Sequence, residues 1–114
     1  MTSRISPIRN SAAFVTGKGP SAAPEYPDSL RSVWLYTEGV KQNAIAGDSV
    51  RARELFLEAI RNDSTYAPAY YEIAEILLET DPQRAVAYSQ TANALDTANL
   101  AYQNQLGRAL VMSE

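Results

Sequence analysis

The sequence contains no cysteine and no histidine. Without cysteine there are no disulfides and no thiol nucleophile, and most structural zinc sites are excluded. Without histidine the commonest general base and metal ligand is missing. An enzyme built here would need paired carboxylates, a Ser–Lys pair or a bound metal. Only Lys18 and Lys41 are available, and no triad-like arrangement emerges. The expectation is therefore a non-enzyme with no cofactor.

Long apolar runs are also missing. Nothing approaches the roughly 18–20 residues that span a bilayer. The start of the chain offers only short apolar pieces such as Ala12-Ala13-Phe14-Val15, with no continuous core of a secretory signal. A soluble protein without membrane insertion is expected, cytoplasmic or exported, with the compartment left open. An excess of basic residues is absent too. The net charge of −3 gives no reason to expect nucleic acid, whose binders carry a clustered basic face. The charge is uneven: residues 1–24 hold Arg4, Arg9 and Lys18 and no acid, so they sum to +3 and the remainder to −6.

What is present divides in two. Residues 1–27 hold four of the six prolines, with Gly17, Gly19 and scattered serine, and show no periodicity. They read as a disordered leader. Gly17-Lys18-Gly19 is not a phosphate loop, because Ala12 stands where that motif needs glycine and Gly19 where it needs Ser or Thr. Asn62-Asp63-Ser64 matches a glycosylation acceptor, relevant only in a secretory host.

From Asp28 onward the spacing predicts one domain over 28–113, with helices at about 29–45, 49–62, 67–79, 82–95 and 99–112. Asp28 or Ser29 caps the first. Gly47-Asp48 ends it, and Asp48 or Ser49 caps the second. Pro68 suits the first turn of the third, and Asp81-Pro82 starts the fourth. The expected inward faces are Leu35, Tyr36, Gly39, Val40 and Asn43, then Ala52, Leu55, Phe56, Ala59 and Ile60. Next come Ala69/Tyr70, Ile73/Ala74 and Leu77/Leu78, then Ala85, Val86, Tyr88, Ala92 and Leu95. The last is Tyr102, Leu106, Leu110 and Val111. No strand-like alternation of useful length occurs.

The helices repeat. Tyr36 to Tyr70 is 34 residues; Ala52 to Ala85, Ala59 to Ala92, Ala74 to Gly107 and Leu78 to Val111 are each 33. One offset links residues of both helices in a pair, so the unit is helix–turn–helix. Small residues at Ala52, Ala59, Ala74, Ala85, Ala92 and Gly107 let backbones approach closely.

On these residues the chain resembles the tetratricopeptide repeat family, as found in bacterial proteins, over residues 32–112. Tyr36 with Val40, Tyr70 with Ala74, and Gln103 with Gly107 take the aromatic and small places of that family's first helix. Ala52 with Ala59, and Ala85 with Ala92, take those of its second, and Phe56 its aromatic place. Val40, Ser64, Ser89, Thr97 and Gln103 depart from the pattern. The resemblance implies an all-α fold, a right-handed superhelix of antiparallel helix pairs (an α-α solenoid). It would hold about two units and a capping or truncated fifth helix.

It also implies function: a protein-protein interaction module holding a peptide or partner protein in a concave groove. The groove-facing places fall here on Trp34, Thr37, Glu38, Lys41, Ile45, Tyr71, Glu72, Glu75, Leu78, Glu79, Asn104, Gln105 and Arg108. Glu72, Glu75 and Glu79 form one helical stripe, either a strip for a basic peptide or a solvated face. Trp34 and Tyr71 are either anchors for a partner or packing residues. Thr37, Glu72, Ala101 and Gln105 do not fit a carboxylate clamp, and Lys41 alone offers it a cation. The alternative is a structural or self-associating segment of a longer array, a homo-oligomer formed through Leu106, Leu110 and Val111 of the fifth helix.

Overall fold

The computed structural model describes residues 28–114, so the leader expected over 1–27 lies outside the described residues. Five α-helices follow one another: α1 (Asp28–Ala44), α2 (Ser49–Asn62), α3 (Ala67–Leu77), α4 (Pro82–Leu95) and α5 (Leu100–Met112). Among the described residues there is no strand. Consecutive helices pack in sequential, antiparallel-like pairs, and α5 also touches α3.

Local chemistry sets the helix ends. Asp48 accepts from the Arg51 N–H at 2.9 Å and caps α2, while Gly47 turns the chain at φ +70°. Asp81 does the same for α4 through the Arg84 N–H, with Pro82 in the first turn, and Asn99 caps α5 through the Tyr102 N–H. These side chains satisfy amides that the helix leaves unpaired. Helix α3 stops at Leu77, two residues earlier than expected: the Leu78 N–H turns to the Glu75 carbonyl three residues back at 3.4 Å, and the chain leaves the α-helical ladder.

The core runs through the stack. Leu35, Leu55, Phe56, Ile73 and Leu77 are sealed, with Ala52, Ala59, Ala69, Ala74, Ala85 and Ala109 between them. The closest approach lies at Gly39, where a Cβ would stand 2.5 Å from the Phe56 ring. Gly39 was among the expected inward residues of α1, whereas the small place of the repeat pattern falls on Val40, which is part-buried.

Three other expectations change. Asn43 is exposed rather than inward, and Leu95 is largely exposed. Ser32 is sealed instead: its hydroxyl donates to the Ala59 carbonyl at 3.2 Å and accepts from Asn62 Nδ2 at 2.8 Å. In α5 the inward face is Tyr102, Gln105 and Ala109, whereas Leu110 and Val111 face out and Leu106 is half-buried.

Candidate functional site

The C-terminal ends of α1 and α3 and the middle of α5 enclose a groove of about 500 Å³. Asn43 of α1, Glu75 and Ile76 of α3, and Arg108 of α5 line it. Leu78 and Glu79 continue the wall beyond α3, with Ser49 and Thr80 at its rim. Helical geometry produces this gathering. Glu75 and Glu79 are four residues apart and stack on one side, and the 33-residue offset brings Arg108 beside Glu75.

Arg108 Nη2 meets Glu75 Oε2 at 2.6 Å, and the same oxygen accepts from Gln105 Nε2 at 2.9 Å. Gln105 is fully buried. Its Nε2 also donates to the Tyr71 carbonyl at 2.8 Å, and its Oε1 accepts from Ser89 Oγ at 3.2 Å. One amide thus ties α5 to α3 and α4. The place that the repeat pattern assigns to the groove is a structural bridge.

Glu72 and Glu75 of α3 and Glu79 just beyond it have different surroundings. Burial pushes the Glu72 carboxyl above its usual range, against the hydrogen bond it accepts from Tyr36 Oη at 3.3 Å. Burial first and then the charge of Glu72 push the Tyr36 phenol up to about 12. Glu75 is held by Arg108 and Gln105. Glu79 is exposed and enters no ion pair among the described residues. No three carboxylates among the described residues stand close enough to share a metal ion. Arg108 brings a positive charge into the groove beside Glu75 and Glu79. Glu79 lies just past the end of α3, where the helix dipole is negative, and Asn43 offers a neutral amide across from it.

The other expected groove residues are spread more widely. Glu38 and Lys41 pair with each other at 2.8 Å, and Thr37 Oγ1 donates to the Val33 carbonyl of its own helix. Tyr71 stacks on Tyr102 with ring centroids 5.2 Å apart, and Trp34 packs part-buried against the core. Asn104 and Ile45 are exposed but do not line the groove, and Leu78 lines it while mostly buried. Asn43 was not expected there. Its place at the end of α1, next to the Gly47 turn, is the only sequence signal that bears on it.

Among the described residues no helix is long and apolar enough to cross a membrane. No protein-family model, curated protein or solved structure matches the chain.

Proposed function

We propose that the chain is a non-enzymatic protein-interaction module of the tetratricopeptide-repeat type. Its helix pairs would form a right-handed superhelix and hold a peptide segment in the groove between α1, α3 and α5. The observation that supports this reading is that one hollow is lined by residues of α1, α3 and α5, with Ser49 at the start of α2. That is where a repeat of helix pairs turns its concave side. The absence of cysteine and histidine agrees with binding rather than catalysis.

The ligand is a segment with a lysine or arginine. Its cation would meet Glu79 at the negative end of α3, and its neighbours would lie along Leu78 and Ile76. Glu72 and Glu75 are committed to internal bonds and serve to shape the wall. The test is a peptide-array screen followed by calorimetry on the best binders. Cation-bearing peptides should bind, with affinity falling in salt and falling further in Glu79→Lys, while circular dichroism stays unchanged. If no peptide binds, or if Glu79→Lys and Asn43→Ala leave binding intact, the groove is not the site.

A further inference from the structure

The outward face of α5 repeats a face that α3 keeps covered. At the 33-residue offset, Ala67, Ala74, Leu77 and Leu78 of the α3 segment become Leu100, Gly107, Leu110 and Val111. Ala67, Ala74, Leu77 and Leu78 are 8%, 0%, 1% and 6% exposed, Ala67 clustered with Ala92 of α4 and Tyr102 of α5 and the other three within the main core. Leu100, Leu110 and Val111 are 71%, 47% and 69% exposed, and a Cβ at Gly107 would meet nothing within 4 Å. Gly39 shows what such a notch does when covered, since Phe56 of the paired helix lies in it. The face of α5 therefore has the shape that receives an antiparallel helix, and no helix lies there among the described residues.

We propose that this face binds the α5 of a second copy of the chain, the two helices running antiparallel about a two-fold axis. Three observations select that occupant. The face is its own complement when reversed. Leu100 begins it and Leu110 with Val111 end it, so antiparallel copies place Leu100 of each against Leu110 and Val111 of the other. Gln103 then lies over the Gly107 notch of the partner, twice. This is the self-matching that an isologous interface requires.

Charge agrees. The chain carries a net −3, which repels a second copy, but the only charged side chain of α5 is Arg108, turned to Glu75. Two α5 faces meet without opposing like charges. Size sets the strength. Thirteen residues of helix are about 20 Å long, and one such pair covers less than the roughly 800 Å² per partner of a standard interface. The dimer is weak and concentration-dependent, and salt, which screens the repulsion between two acidic copies, should strengthen it modestly. It uses a face other than the groove, so it stands or falls separately from peptide binding.

Sedimentation equilibrium of the full chain from about 10 µM to about 1 mM spans the range expected of so small an interface. The average mass should rise from 12.5 kDa toward twice that value. Gly107→Glu and Val111→Lys should stay monomeric throughout, with helicity and melting temperature at or above the parent's, since both positions are open in the monomer and a cation suits the last turn of α5. The cysteine-free background gives a second readout. A mixture of Leu100→Cys and Val111→Cys chains should form a disulfide-linked dimer under mild oxidation, and neither variant alone should. A strict monomer at the top concentration overturns the proposal. So does a dimer that survives Gly107→Glu, or linkage of either single-cysteine variant with itself.

Discussion

The ring of Phe56 lies on the bare backbone of Gly39: a Cβ at that glycine would stand 2.5 Å from Cε1 and 2.9 Å from Cδ1. Phe56 is fully buried. Gly107, in a similar place on α5, has open space around it. The same substitution should therefore act with opposite sign at the two positions. Gly39→Ala gains helix propensity of about 1 kcal/mol but overpacks the α1–α2 contact by about 1–3 kcal/mol, and should destabilise on balance. Gly107→Ala gains propensity alone and should stabilise by up to about 1 kcal/mol. Urea unfolding at low protein concentration reads both.

Gln105 and Arg108 both reach Glu75, yet they should differ in weight. Arg108 is about half exposed, and its ion pair is worth roughly 0–1 kcal/mol. Gln105→Ala strands the Ser89 hydroxyl, removes the bond to the Tyr71 carbonyl and opens a cavity, so it should cost about 2–3 kcal/mol. Amide exchange should show α5 losing protection in Gln105→Ala and keeping it in Arg108→Ala.

The Glu72 carboxyl is raised above 4.5, mainly by burial, so the folded state holds its proton longer than the unfolded chain. More protons bound in the folded state means that stability falls as pH rises through that window. Glu72→Gln removes the buried charge and keeps an acceptor for Tyr36. It should gain stability relative to the parent as pH rises from about 4 toward 7, the range of the shifted carboxylate. A difference that is flat with pH would contradict this account.

The Tyr36 phenol, raised from 10.0 to about 12, gives an alkaline counterpart. Between those values the unfolded chain loses the proton first, so stability should fall as pH climbs. Tyr36→Phe should show a shallower fall, seen in denaturant midpoints collected alongside the phenolate absorbance.

Cap chemistry gives the simplest case. Asp48→Ala leaves the first amides of α2 without their acceptor and should cost about 1 kcal/mol. Gly47→Ala forces a Cβ into left-handed backbone and should cost about 1–2 kcal/mol. Both effects are readable in thermal melts.

Helix ends were legible wherever a side chain caps its own neighbour. Helices α2 and α4 lie where the sequence predicts them, because Asp48, Asp81 and Pro82 act within a turn of themselves. Helix α3 was overestimated because its end depends on a backbone bond from Leu78 to Glu75, which no residue type announces. The stripe of Glu72, Glu75 and Glu79 was visible as a pattern. That two of the three are tied to Tyr36, Gln105 and Arg108 was not, because those partners lie 30 or more residues away.

The sequence by itself determined an all-helical chain, its five segments, their pairing and the small residues along their seams. These follow from capping, proline, glycine and a 3.6-residue period, all of them local. Only the tertiary structure decided which way α5 turns. Its apolar side chains suggested Leu106, Leu110 and Val111 inward, but Gln105 is buried and Val111 faces out. A buried amide is costly alone and stable once its hydrogen bonds are met. Those bonds come from Ser89, Tyr71 and Glu75, on two other helices.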